Sequence, residues 1–270
     1  MMDTFRVNTD INPVPKEIRA ILKKASGLIL PYRCAVCGKA SDNEDRFSGY
    51  DRLYEELYGE EADLHICGKC LSSISILDET GRWSLCLSNP VANDPCPGLP
   101  LYMPFAYQGT VKRAVKNIKF GKKIELARFF GCLLGSCLAG EKIGADIVVS
   151  IPLSPERLAE RGFNQAAEIA YPVAGINGLR FADDVLLRNR DTKRQAEIKN
   201  NNDRAVNVSG AFDVNGSWDV TGMSVMIVDD VATSGATLHE AAEVLYRAGA
   251  FKVMCVAFAG NRHIKNAESF

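Results

Sequence analysis

Apolar positions along this chain fall into two regimes. From Leu99 onward, short β-branched runs alternate with stretches at helical spacing; before it, the pattern is broken by cysteines and acids. Residues 225–228 form an apolar run of the length of a buried parallel strand. Leu238, Ala241, Ala242 and Leu245 then recur at helical spacing. Residues 147–152 read as a second buried strand ending in a loop, and 252–257 as a closing strand after Gly249, a helix C-cap. Shorter strands are expected at 105–108 and 185–188. Helices are expected over 111–118, broken by residues 119–123, and over 124–138. A third begins at Gln165 and is ended or kinked by Pro172. Nearer the start, Ile18, Ile21, Leu22, Ala25, Leu28 and Ile29 predict a short amphipathic helix that packs. Alternating strands and helices predict an α/β fold, a parallel sheet flanked by helices.

Composition narrows the class. A chain of 270 residues, 47% of them hydrophobic, builds one large or two modest domains with a full core. The division expected is 1–98, an N-terminal helix with a cysteine-rich module, and 99–270, the α/β domain. A net charge of −1 argues against polyanion binding by the protein as a whole. No apolar run approaches the roughly 18 residues of a membrane span, and the N-terminus has no signal-peptide core. The expectation is a cytoplasmic protein in a reducing compartment, without membrane association. Nine cysteines is many for that setting, and an odd, uneven set favours metal binding over a disulfide framework.

Cys34-x-x-Cys37-Gly38 and Cys67-x-x-Cys70 form two knuckles whose four thiolates suit tetrahedral, structural Zn²⁺. Residues 38–66 separate them, longer than the usual ribbon spacing of about 15–20. An acidic insert, Asp42 to Asp63, accounts for the excess, with nine acids against Arg46 and Arg52. Tyr50, Leu53, Tyr54, Leu57 and Tyr58 make part of it helical in pattern. Cys86 and Cys96 are a weaker pair, read as thiols without metal. Cys132, Cys137 and Cys255 lie in apolar segments and read as core; His65 and His239 read as ordinary polar positions.

Asp229 and Asp230 follow the 225–228 run, and Ala232, Thr233, Ser234, Gly235, Ala236 and Thr237 lead into the helix. Strand, tight loop and helix N-terminus together make an anion site, with free N–H groups and hydroxyl donors. Gly235 lets a phosphate approach the backbone. A carboxylate pair beside such a cradle would repel bare phosphate. It makes sense when the ligand also offers hydroxyls or shares a divalent cation. An ordinary strand–turn–helix would explain one acid and one hydroxyl, not the whole series. The P-loop and dinucleotide-binding signatures are absent. The series resembles the phosphoribosyl-diphosphate signature of type I phosphoribosyltransferases.

Arg157 and Arg161 lie at i and i+4, on one face of a helical turn, after a strand's carboxyl end. Taken alone they read as a salt-bridging surface or as a clamp for phosphate or pyrophosphate. The surrounding R-x-x-x-R-G-F-N-Q resembles the motif of the ComF family of phosphoribosyltransferase-like proteins. So do Arg188-x-Arg190-x-Thr192-x-x-Gln195, Arg204-x-x-Asn207-Val208, the Lys119-Phe120 region and the split knuckles. The resemblance spans roughly residues 28–260. The loop has Thr233-Ser234 where that family often has two threonines; a third C-x-x-C, frequent there, is missing; and the acidic insert has no counterpart.

The resemblance implies a type I phosphoribosyltransferase fold that binds 5-phosphoribosyl 1-diphosphate with Mg²⁺. The 5-phosphate would sit in 233–237, the ribose hydroxyls or metal on Asp229 and Asp230, and the pyrophosphate on Arg157, Arg161 and the 188–194 loop. Arg190, Lys193 and Arg194 would belong to a basic loop that closes over the ligand. It implies transfer or only sensing of the phosphoribosyl group, with residues 1–125 supplying the hood over an unidentified acceptor. The rival reading is a non-catalytic accessory protein of DNA uptake and competence, acting through a protein or single-stranded DNA partner. A homodimer is left open.

Overall fold

The computed structural model describes residues 32–41, 48–60, 62–77, 82–85, 99–139, 144–188 and 210–261. The helix expected before residue 30, Cys86, Cys96 and the basic stretch from Arg190 to Asn207 lie outside them.

Two short strands, β1 (Tyr32–Arg33) and β2 (Ala40–Ser41), pair antiparallel around the first knuckle. The acidic insert supplies α1 (Ser48–Tyr58), and the second knuckle opens α2 (Gly68–Ser72). There follow β3 (Arg82–Leu85), β4 (Leu99–Tyr102), β5 (Phe105–Ala106), α3 (Gly109–Gly121) and α4 (Ile124–Leu138). Next are β6 (Ile147–Ser150), α5 (Pro155–Arg161), α6 (Gln165–Ile176), β7 (Arg180–Ala182), β8 (Leu186–Arg188) and β9 (Phe212–Val214). The series ends with β10 (Ser224–Ala232), α7 (Ala236–Arg247) and β11 (Lys252–Gly260).

A seven-stranded sheet runs β3-β4-β11-β10-β6-β7, with β5 also on β11. All its pairs are parallel except β3 with β4. β3, β4 and β7 of this sheet are additions to the expected strands. Apolar residues on both faces of β10 reflect burial on both sides. Val225 and Ile227 pack with Val149, Cys255 and α7's Leu238 and Leu245. Met226 and Val228 pack on the other face with Val148, Phe258 and α4's Phe130.

Four expectations are corrected. The strand does not stop at Val228: Val231 and Ala232 still pair with Ala259 and Gly260 of β11, so both acids lie inside β10. The β6 side ends earlier, at the Val228–Ser150 pair, which leaves a crevice there. The break expected over 119–123 falls at Lys122, not at Lys119. Helix α3 runs to Gly121 and stops where Lys122 turns left-handed, φ 51°, its N–H donating to the Asn117 carbonyl. Pro172 does not end α6, which continues to Ile176. Packing on α4 outweighs the lost hydrogen bond: Gly131 lets α4 approach so closely that a Cβ there would collide with the Pro172 ring and the Ile169 carbonyl. Finally, Cys137, at the end of α4, is exposed, whereas Cys132 and Cys255 are buried.

α1 docks the insert. Tyr50 and Tyr54 are buried, with Tyr50 edge-on to Phe129 at 5.0 Å. Arg128 of α4 donates through Nε to Glu168 of α6 at 2.8 Å and through Nη1 to the Tyr54 hydroxyl at 2.6 Å. Its guanidinium lies 4.4 Å from the Tyr58 ring centroid, a cation–π contact. Among the described residues no helix is long and apolar enough to cross a membrane.

Candidate functional site

The carboxyl ends of β10 and β6, the helices α5 and α6 and the end of α3 enclose a cleft of about 490 Å³. This is the place where open α/β sheets present ligand sites, beyond the strand ends and where a neighbouring strand stops. Asp229, Asp230, Thr233, Thr237, Arg157 and Arg161 all line it. Thus the acid pair, the hydroxyl loop and the arginine pair, read from separate stretches of sequence, face one space. Ala232, Gly235 and Ala236 line a shallow recess beside it, shared with Asp229 and Thr237. Gly235 sits at φ 76° just before α7, a backbone angle that favours glycine. Ser234 turns back, its hydroxyl accepting from the Ala236 N–H at 3.5 Å.

The arginines are presented by a short, well-capped helix. The Ser154 hydroxyl accepts from the Arg157 N–H at 3.4 Å, Pro155 occupies the first turn, and Gly162, φ 84°, terminates the helix. Asn164 then caps α6, its Oδ1 accepting from the Ala166 N–H at 3.1 Å. Its Nδ2 donates to the Ile151 carbonyl at 3.0 Å, tying the motif to the end of β6. The R-G-F-N stretch is therefore a turn held against the sheet.

The acids are electrostatically unequal. Burial, then the neighbouring Asp230 charge, pushes the Asp229 carboxyl well above the usual carboxylate range. Its Oδ1 accepts from the Asp230 N–H at 2.7 Å. The Asp230 side chain is only 5% exposed, and Lys119 Nζ lies 2.6 Å from its Oδ2. Tyr107 stands in the same wall; burial raises its phenol, with opposing influences from Lys119 and Asp230.

Lys119, Tyr107, Lys112 and Gln165 are lining residues that the sequence reading did not assign, whereas Arg188 opens the 188–194 loop expected at the pyrophosphate. The signal for Lys119 was present in the Lys119-Phe120 resemblance, but a helix break assigned there hid its direction. Gln165 is 4% exposed and its Oε1 has no hydrogen-bond partner among the described residues, so the cleft wall carries an acceptor awaiting a donor. Arg190, Lys193 and Arg194 lie outside the described residues. Arg188, just before that stretch, reaches the cleft.

Elsewhere, Cys34, Cys37, Cys67 and Cys70 bring four Sγ atoms within 4.8 Å of one another. The Cys37–Cys67 separation is 3.9 Å. A tetrahedral ZnS₄ site with bonds of about 2.3 Å has edges of about 3.8 Å, so the cluster is compatible with structural zinc. Burial raises the Cys34 thiol, but N–H groups pointing at its sulfur, the Cys67 N–H at 3.4 Å among them, bring it down to about 7. Burial and the neighbouring thiols push Cys70 up. His65 lies outside this cluster, buried and stacked on Tyr32 at 5.5 Å. Asn117 fastens the first knuckle to α3, donating to the Ala35 and Val36 carbonyls at 2.7 and 3.0 Å.

With this geometry in place, comparison with known proteins adds the lineage. The phosphoribosyl transferase domain family matches residues 158–269. The DNA utilization protein YhgH of Salmonella typhi is 32% identical over 152 residues, covering 54% of this chain and 66% of the relative. Competence protein ComFC of Bacillus subtilis is 31% identical over 148 residues, covering 54% of this chain and 57% of the relative. The chain therefore spans only part of the length of these relatives. Among solved structures, the glutamine phosphoribosylpyrophosphate amidotransferase of B. subtilis is 22% identical with a TM-score of 0.37, over 53% of this chain and 30% of that one. The fold, with the domain match, is that of the type I phosphoribosyltransferase class. Within that class, the similarity to YhgH and ComFC supports the resemblance to the ComF family.

Proposed function

We propose that the cleft binds 5-phosphoribosyl 1-diphosphate together with Mg²⁺, as a phosphoribosyltransferase or a sensor of that ligand. The observation that carries the reading is the convergence of acid pair, hydroxyl loop and arginine pair on one cleft. The loop 233–237 takes the 5-phosphate, where the first-turn N–H groups of α7 have no carbonyl within the helix. Asp229 and Asp230 hold the ribose hydroxyls or the metal. Their carboxylates fit a hard cation, since Asp230 Oδ2 is buried and accepts no aligned hydrogen bond among the described residues. Arg157, Arg161 and Arg188 face the pyrophosphate, and Arg190, Lys193 and Arg194 are proposed to close over it.

If transfer occurs, the bond from C1 to the pyrophosphate oxygen breaks and C1 becomes cation-like. Stabilising the departing charge is then the principal task, and the arginines do it with planar, paired donors. Mg²⁺, when bound, supplies further charge stabilisation on the pyrophosphate. The acceptor is left unassigned.

Calorimetric titration with 5-phosphoribosyl 1-diphosphate, with and without Mg²⁺, tests this reading on wild type and Asp230→Asn. Micromolar binding lost in the variant supports it. No heat and no thermal shift at millimolar ligand would sink it.

The names of the relatives favour a second reading: an accessory role in DNA utilization or competence, through a protein or single-stranded DNA partner. Binding of such a partner by a protein without ligand affinity would select it.

The cysteine cluster is proposed to hold one structural Zn²⁺, which would supply folding energy to the module pinned on α3. Metal analysis should find about one zinc per chain, lost on Cys34→Ser together with module stability. A metal-free protein of full stability would overturn that assignment.

A further inference from the structure

We propose that Lys119 is a built-in counter-cation for the acid pair, so that a divalent cation can reach Asp230 only after a polyanionic ligand has drawn Lys119 away. The inference rests on the phosphoribosyl-diphosphate reading of the cleft and adds an order to it: ligand first, metal second.

The argument begins with helix α3. Because it runs past Lys119 to Gly121, Lys119 lies in its last turn, with its stem directed at the end of β10. Nζ lies 2.6 Å from Asp230 Oδ2, and the two side chains are 23% and 5% exposed. Asp230 Oδ2 accepts no aligned hydrogen bond among the described residues. Compensation for this buried carboxylate oxygen therefore comes from the Lys119 charge rather than from a hydrogen-bond network.

A divalent cation held by Asp230 would lie within a few ångströms of an ammonium already 2.6 Å from its Oδ2, and the two like charges repel in this buried setting. The helix fixes the lysine's starting point. Asn117, one turn before the stop at Lys122, is clamped to the first knuckle through the Ala35 and Val36 carbonyls. The lysine head remains able to move, as a point charge on a flexible four-carbon stem. The same cleft carries Lys112, Arg157, Arg161 and Arg188. A bound pyrophosphate group there would offer Lys119 a denser anionic partner than Asp230. Its departure would leave Asp230 facing the cleft without a counter-charge, and the cation would then fill that place. In this arrangement Lys119 is a positioning residue acting through the acid pair.

The test is Mn²⁺ titration of the ligand-free full chain, followed by calorimetry and by the loss of the free-ion paramagnetic resonance signal. Wild type should take up no Mn²⁺ at the acid pair at concentrations where Lys119→Gln does, a gain on the order of a hundredfold in affinity from removing one adjacent unit charge. Lys119→Arg should restore exclusion. The gained site should disappear in the Lys119→Gln, Asp230→Asn double variant, and Mn²⁺ should raise the melting temperature of the single variant alone. Lys119→Met, which keeps most of the apolar stem, serves if the Gln variant does not fold. Equal Mn²⁺ uptake by wild type and both variants would overturn the inference, as would a gained site that survives Asp230→Asn. The ligand reading fails separately: 5-phosphoribosyl 1-diphosphate would then give no heat with any variant, whatever Mn²⁺ does.

Discussion

Arg128 and Lys119 are both cations held largely out of bulk water, and the fold treats them in opposite ways. Arg128 is only 19% exposed and is surrounded: Glu168 and Tyr54 take its hydrogen bonds, Glu125 lies 3.6 Å away, and the Tyr58 ring covers its face. It joins three helices and faces no cleft among those described. Lys119 lies against the Asp230 carboxylate in the wall of a 490 Å³ cleft, next to an Asp229 that resists ionisation. A rigid, planar guanidinium suits a permanent cluster, and a flexible ammonium suits a partner that must be exchanged. One cluster fastens the acidic insert to the domain; the other leaves charge to be completed by a ligand.

The largest effect expected on stability comes from breaking the fastened cluster. Arg128→Ala leaves Glu168 without its cation and uncovers two tyrosines, and should cost about 3 kcal/mol. Urea denaturation reads this, and ligand titration of the folded fraction should be unchanged. Next is Asp230→Asn. Ligand affinity should fall on the order of a hundredfold, as expected for losing a charge-assisted contact, while the urea midpoint moves by less than about 1 kcal/mol equivalent. A stability loss as large as that of Arg128→Ala would erase the contrast between the clusters. Gly175→Ala probes the docking of the insert more gently. A methyl there would meet Leu57 Cδ2 of α1 at 2.5 Å, and the flexible leucine should yield for about 1 kcal/mol. Tyr171→Phe removes an exposed hydroxyl that donates to the Leu57 carbonyl at 3.3 Å, and should change stability by less than about 0.5 kcal/mol.

Much of the fold was legible from apolar spacing. Helix 124–138 was read with the observed ends, Ile124–Leu138, and the tyrosine pattern of the insert marked α1. The break expected over 119–123 is there but falls at Lys122 rather than Lys119, and at Pro172 packing on a neighbouring helix carries the segment through. Val228 looked like a strand end because two carboxylates follow it, but pairing with β11 continues through them. Cys137 sits in an apolar segment, and only the packing of α4 shows that its side faces out.

The order of residues by itself determined the strand–loop–helix with its acids and hydroxyls, the paired knuckles, and the arginine turn, since each is set by neighbours within a few positions. That these pieces meet is a tertiary fact. Parallel β6 and β10 place Arg157 and Asp230 at the same end of the sheet, and the early end of β6 opens the space between them. Lys119 could not be assigned to Asp230 by any local rule, because its direction depends on where α3 stops and how a cysteine knuckle clamps it. Local propensity reaches about one helical turn, whereas a buried charge is compensated by whatever the fold brings within a few ångströms.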